Sequence, residues 1–541
     1  MRFATTQSIA QGHTLLLVVW VRGVSSQMAN GYVTHVVEMA SSPYTKSLYL
    51  DQAPDTEWQQ WMIPMQAATT MSAYAGHYQM NMGFQGQTVE IAGLAILNFG
   101  TKYSTAQLPR SSYHLSYVGR APDAAWRQEA LQRIEQIRKA DLRVRVVDQA
   151  GRPIPGAAVD IQMKRHAFGF GTALSLGRML GASTDDQTYR DRVFNLAGDG
   201  KTWSIVVFGN AMKWPAWEQP WEGSRQELLA TVQTLRDAGI RVRGHCLVWP
   251  SYGNLPADIG ANRTVAYVGP RVLDHITEEV SYPGLKGEIS EWDVLNEPAH
   301  LTDLRDLFGG EAIYAEWFKQ AAAADPDTQL YINDYSIISS GGMNLSMQSR
   351  YRQSIETVLA NGGRIDGIGV QGHMDTTLTG PERVYEVLND FAVYGADLGI
   401  TEFDASGSDP AAMGDYMRDI LIIAFSHPQM RNFIIWGFWD GDHWHGDAPL
   451  FRSDWSLKPA GEAYLDQVFN KWWTTSEQTA DYRGRAAVRG FLGDYEITAS
   501  YGGVSKTVPL TLNSSGAVSE ITLEIAHPPQ PRYRQQGTGR Q

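Results

Sequence analysis

The stretch Glu291-Trp-Asp-Val-Leu-Asn-Glu297-Pro298 is an apolar strand that turns polar where it stops. Trp292, Val294 and Leu295 supply surface to bury, Asn296 and Glu297 close the run, and Pro298 ends it because proline has no N–H for a strand ladder. Working outward, strands of the same character recur at Phe168–Thr172, Ser204–Phe208, Val242–Trp249, Gln329–Asn333, Gly367–Gln371, Leu398–Phe403 and Asn432–Trp439. Helical stretches separate them, and this alternation is the pattern of a parallel sheet built from βα units. Eight repeats over about 300 residues fit a closed (β/α)8 TIM barrel better than an open dinucleotide-binding sheet, which opens on a fuller glycine fingerprint than Gly169-Phe-Gly171. The fold class expected is therefore α/β, a TIM barrel with flanking jelly-roll-like β-sandwich modules.

The flanks read differently. Residues 1–118 alternate apolar and polar residues between Gly, Asn and Ser-Pro turns, as in an antiparallel sandwich. Within 119–140, Trp126, Ala130, Ile134 and Ile137 recur at helical spacing and predict a linking helix. A β segment, 141–165, holds two strands around Gly151-Arg-Pro153 and is too small to bury a core alone, so it is expected to pack with C-terminal strands in 473–526. The barrel domain is expected at 166–472, and the Pro-rich tail, 527–541, is expected to be disordered.

Composition narrows the function classes. Among 541 residues with a net charge of -13 there is no long basic block, which argues against a nucleic-acid partner. The 17 tryptophans and 24 tyrosines suit a neutral polymer. Leu15–Val21 is too short to span a bilayer and reads as a strand, so no membrane partner is expected. Cys246 stands alone, which excludes an intramolecular disulfide. The strand pattern begins almost at residue 1, as in a chain that starts inside a domain or just after a removed leader.

Catalytic groups of a TIM barrel project from the C-terminal ends of its strands, so the polar residues closing each strand carry the chemistry. Glu297 closes the fourth strand, and Glu402 stands at the end of the seventh, in Gly399-Ile-Thr-Glu-Phe-Asp404. Strands four and seven face each other across a barrel mouth. Two carboxyl groups so placed suit glycoside cleavage, one protonating a leaving oxygen while the other attacks the anomeric carbon. Asp440-Gly-Asp-His-Trp-His-Gly-Asp447 lacks calcium-loop and zinc spacing, so no metal is expected there.

Taken together, Trp292-Asp-Val-Leu-Asn-Glu-Pro298, Gly399-Ile-Thr-Glu-Phe-Asp404, Arg243-Gly-His-Cys-Leu-Val-Trp249, Gly369-Val-Gln-Gly-His373 and Asn333-Asp-Tyr335 resemble glycoside hydrolase family 10, the retaining β-1,4-xylanases. The resemblance covers the barrel and implies Glu297 as acid/base and Glu402 as nucleophile. It further implies His373 and Asp404 as supports of Glu402, and Asn296 as partner of the sugar 2-hydroxyl. Asn210, Lys213, His245, Trp249, Gln371, Tyr335, Trp436 and Trp444 are implied to bind substrate. No cofactor is implied, the partner is xylan or a related polysaccharide, and the protein is expected to be a monomer, secreted or periplasmic. Relatives of this kind often carry an N-terminal carbohydrate-binding jelly roll, which fits 1–118 and its aromatics Tyr44, Tyr49 and Trp58. A hydrolase of the same fold acting on another or decorated β-glycan, and a non-catalytic carbohydrate-binding protein, remain as alternatives.

Four positions depart from the pattern. Phe403 replaces a leucine in an apolar slot, and Cys246 replaces a threonine. At Gly209-Asn-Ala-Met-Lys-Trp214 the family has a glutamate where this chain has Gly209, and Pro250 replaces a histidine. Loss of that carboxylate is expected to weaken a glycone subsite and leave room for a decorated sugar, unless another residue compensates.

Overall fold

The computed structural model describes residues 1–27, 31–111, 117–374, 377–407 and 409–524. Eight parallel strands close into a barrel: β1 (Gly169–Leu174), β2 (Ile205–Phe208), β3 (Arg241–Val248), β4 (Ile289–Asn296), β5 (Gln329–Asp334), β6 (Gly367–Val370), β7 (Asp397–Phe403) and β8 (Met430–Ile435). Pairing of Gly169 with Asn432 and of Thr172 with Ile435 shuts the ring. Strands of this kind are covered on both faces, which is why Ile205-Val-Val-Phe208 is apolar throughout and wholly buried. Phe170, Val206 and Phe208 join the core shared with the surrounding helices. Ala173, Ile205, Val207 and Ile434 form a separate cluster, against which Trp436 packs.

The eighth strand stops four residues earlier than its sequence suggests. Gly437 adopts a φ of 104°, outside the strand region, so the chain leaves the ladder after Ile435 and Trp436 swings to the barrel mouth. Helix starts follow local chemistry. The helix Arg225–Asp237 begins at a capping box in which Ser224 and Glu227 satisfy each other's backbone N–H, and it buries Leu228, Val232 and Leu235 on one face. Gly244 is required by close approach, since a Cβ there would lie 2.1 Å from the Trp292 ring.

Two β-sandwiches flank the barrel. In the first, the sheet of Arg2–Ala4, Gly76–Asn81, Val33–Met39 and Lys46–Gln52 faces the sheet of Gln59–Gln66, Thr14–Ser26 and Gln87–Asn98. Leu15, Leu17, Val19 and Val21 meet Val37, Trp61 and Tyr78 in a core separate from that of the barrel. In the second, Lys139–Val147 pairs with Arg485–Phe491 and Ala517–Thr522. Ala158–His166 pairs instead with Thr475–Thr479 and Gly493–Tyr501. The two strands flanking Gly151-Arg-Pro153 therefore enter opposite sheets. The tail 527–541 lies outside the described residues.

The helix Ala125–Ile137 is anchored to the barrel along its length. Trp126, Ala130 and Ile134 are buried, Arg127 pairs with Asp419 at 2.7 Å, and Tyr117 donates to the same carboxylate at 2.8 Å. Just after it, buried Arg138 donates to the carbonyls of Phe425, His427 and Met430, which end a barrel helix and open β8.

Candidate active site

Glu297 follows β4 directly and has a φ of 59°, in the left-handed region that costs a residue with a side chain roughly 1 to 2 kcal/mol. One long-range bond and one local bond hold it there. Its N–H donates to the Asn333 carbonyl at 2.7 Å, and its own carbonyl accepts from Leu301 at 2.9 Å. The pairing registers of β3 with β4 and of β4 with β5 both shift in this region, the kind of irregularity that re-aims side chains at a barrel rim. Half-buried, the carboxyl group accepts from Trp249 Nε1 at 2.8 Å and Gln371 Nε2 at 3.0 Å.

Glu402 lies in β7 and is 5% exposed. Asn333 Nδ2 donates to its Oε1 at 2.8 Å and His373 Nε2 to its Oε2 at 3.2 Å. The other imidazole nitrogen, Nδ1, stands 2.9 Å from Asp404 Oδ2, which also accepts from Trp444 Nε1 at 3.0 Å. A backbone bridge between His373 and Asp404 carries the β6–β7 pairing out to these residues. Phe403, one residue along, points the other way and packs on Phe433 and Tyr416. The departure at 403 thus leaves the carboxylate untouched.

These surroundings push the two carboxyl groups in opposite directions. Burial raises the proton affinity of Glu297, and the charge of Glu402 adds to it, against the two hydrogen bonds that favour ionisation. Burial acts on Glu402 as well. There the His373 hydrogen bond and the charges of His245 and His373 outweigh it, so Glu402 sits below the ordinary carboxylate range. His373 is raised despite its own burial, because Asp404 and Glu402 both favour the imidazolium. The setting thus favours the protonated form of Glu297 and the ionised form of Glu402.

Below them, His245 Nδ1 meets Asp293 Oδ2 at 2.9 Å, and Arg243 bridges Asp293 and Glu291 inside the barrel. A buried guanidinium satisfied by two carboxylates offsets much of the cost of desolvating all three. Trp436 stands edge-on to His245 at 5.3 Å, and Trp444, 65% exposed, lies 5.4 Å from His373. On one side of the mouth the Lys213 ammonium lies 5.0 Å from the Trp249 ring centroid and donates to Asn210 Oδ1 at 3.2 Å. Tyr335, on the other side, stacks on His300 with ring centroids 3.5 Å apart. Every residue singled out from the sequence as a site residue thus falls at one end of the barrel.

The sequence marks Asn333 only as part of Asn333-Asp-Tyr335. Its amide donates to Asn296 Oδ1 at 2.9 Å as well as to Glu402, while Thr401 Oγ1 donates to its own oxygen at 2.6 Å. An asparagine after the apolar run Leu330-Tyr-Ile332 is the signal that the sequence offers, and the structure buries it wholly. Glu222, which accepts from Asn210 Nδ2 at 2.7 Å, gave no signal because it lies in an irregular loop. In the 440–447 segment, Asp440 pairs with Lys458 at 2.5 Å and Asp442 with Arg178 at 3.6 Å. Cys246 is buried, and burial raises its thiol well above the usual range, away from the reactive thiolate.

The family model for glycosyl hydrolase family 10 matches residues 161–467. Among curated proteins, the anti-sigma-I factor RsgI6 of Acetivibrio thermocellus is 29% identical over 412 residues, covering 74% of this chain and 50% of that protein. Endo-1,4-beta-xylanase 1 of Arabidopsis thaliana is 27% identical over 395 residues, covering 72% of this chain and 40% of that protein. Among solved structures, xylanase 10B from Thermotoga petrophila in complex with xylobiose aligns with a TM-score of 0.49 at 26% identity, over 56% of this chain and 94% of its own. The chain spans half or less of the length of these two curated relatives.

Proposed function

This chain belongs to glycosyl hydrolase family 10, and on that premise we propose that it hydrolyses internal β-1,4-xylosidic bonds of xylan with retention of configuration. The observation that carries the reading is the opposed setting of two carboxyl groups at one barrel mouth, Glu297 raised and Glu402 lowered in proton affinity. In the first step a Glu402 oxygen bonds to the anomeric carbon as the glycosidic C–O bond breaks, and Glu297 gives its proton to the departing oxygen. Glu402 is then an ester and its negative charge is gone. Glu297, now ionised, takes a proton from water, whose oxygen bonds to the anomeric carbon while the ester C–O bond breaks and Glu402 is regenerated.

The other residues serve charge and position. His373 and Asn333 keep Glu402 ionised and aimed, and Asn296, held by Asn333, is the partner for the sugar 2-hydroxyl. Trp436 and Trp444 offer faces on which sugar C–H groups pack. The N-terminal sandwich exposes Tyr44, Tyr49 and Trp58, which suit glycan anchoring, with a purely structural role as the alternative. No described helix is long and apolar enough to cross a membrane. A polymeric substrate places the working protein outside the cell, in the medium or the periplasm.

A carbohydrate-binding protein without turnover is the second reading. Paired carboxyl groups of opposite proton affinity speak against it, since binding alone requires no such pair. The deciding measurement is reducing-end release from a panel of xylans and β-glucans, with the anomer of the first product followed by NMR. A β-anomer from xylan is expected. An α-anomer refutes the double displacement, release from β-glucan alone refutes the substrate, and no release from any glycan leaves the binding reading.

A further inference from the structure

Resting on that reading, we infer that Glu222 and Trp221 form a distal sugar subsite, reached from Glu297 along a continuous line of polar groups on the Lys213 side of the mouth. Trp249 donates to Glu297 at 2.8 Å, and Lys213 lies over the Trp249 ring. Lys213 donates to Asn210 Oδ1 at 3.2 Å, and Asn210 Nδ2 donates to Glu222 Oε1 at 2.7 Å. The second Glu222 oxygen accepts from the Leu176 N–H at 3.2 Å. Glu222 is thereby tied both to the loop after β1 and to the end of β2. Both of these partners are neutral donors, and a carboxylate has about four lone-pair sites, of which two are used here.

Trp221, its neighbour in the chain, has 57% of its surface exposed. A fixed carboxylate next to a bare indole face is the chemistry that takes a pyranose, its hydroxyls on the oxygens and its C–H face on the ring. Gly209 contributes no side chain here. A Cβ built at 209 would meet nothing nearer than the Leu174 carbonyl oxygen at 3.8 Å, so the space between Asn210 and β1 is open to ligand. The ligand class is the glycone portion of a β-linked oligosaccharide, one or more units beyond the sugar at which the bond breaks.

The test compares kcat/KM on aryl β-xyloside, aryl β-xylobioside and aryl β-xylotrioside, in which the aryl group takes the leaving position and the chain grows only into the glycone half. Glu222→Gln and Trp221→Ala should leave the monosaccharide substrate within about twofold of wild type and lose about tenfold to a hundredfold on the longer ones, the scale of one charge-assisted hydrogen bond, mainly through KM. A loss equal at every length means that Glu222 only braces two loops, and no loss at any length means that no sugar reaches it. Either result overturns the inference. Trp221 is exposed and its replacement carries the test should Glu222→Gln fail to fold. Calorimetry of xylotetraose and xylohexaose in a Glu402→Gln background reads the same subsite without turnover. An affinity unchanged by Glu222→Gln overturns the subsite, whereas absence of hydrolysis by wild type overturns only the proposed activity.

Discussion

Replacing His373 with alanine tests the electrostatic core of the mechanism. The substitution removes the donor that lies 3.2 Å from Glu402 Oε2 and the positive partner 2.9 Å from Asp404. Glu402, 5% exposed, keeps the neutral amide of Asn333 at 2.8 Å. A hydrogen bond from a charged donor contributes about 1.5 to 3 kcal/mol, and at about 1.4 kcal/mol per pH unit its loss raises the proton affinity of Glu402 by about one to two units. Asp404, left without the imidazolium, pushes in the same direction. Since Glu402 has to be ionised to attack, the acid limb of kcat/KM moves to higher pH by that amount, and part of the lost rate returns as pH rises above it. The assay is kcat/KM on an aryl β-xylobioside from about pH 3 to 9, where the limbs report the free enzyme, with melting curves to verify the fold. A fall in rate equal at every pH, with the acid limb unmoved, refutes the reasoning and leaves His373 as a brace between β6 and β7.

Three further outcomes are expected. Glu297→Ala should lower kcat on xylan about a hundredfold to ten-thousandfold while sparing the first step on activated aryl leaving groups, and azide should restore rate as a β-glycosyl azide, an α-azide refuting the assignment. Trp249→Phe removes a donor that favours ionised Glu297, so Glu297 rises further and the basic limb of the pH profile should move up, by about one pH unit at most; movement downward counts against it. Glu279 is wholly buried in the barrel helix Val265–Val280, and burial raises its proton affinity well above the ordinary range, so the folded state keeps a proton that the unfolded state releases above its normal carboxyl range. Stability is therefore lost as pH rises through that range, and Glu279→Gln should raise Tm at pH 7 but not at pH 4, a flat difference across pH sinking the account.

The barrel and its two carboxyl groups were legible in the sequence because both follow from short-range rules. A run such as Ile205-Val-Val-Phe208 can only be buried on both faces, and Pro298 and the polar residues before it mark a strand end without reference to any partner. Gly209 was legible only against the family resemblance, as a missing side chain in a motif that otherwise matches. What the sequence left open depended on contacts across long stretches of chain. Asn333 meets Glu402 across 69 residues and Gln371 meets Glu297 across 74, and only the pairing of β4 to β7 side by side brings such pairs within hydrogen-bond reach. The proton affinities of Glu297 and Glu402 belong to that closed arrangement, since one residue type takes opposite settings when burial acts on both and an imidazolium reaches only one. Glu222 is the extreme case: an irregular loop has no period to read, so the sequence named the missing carboxylate, and only the tertiary structure brought another to Asn210, because loop position is set by the elements it is packed against.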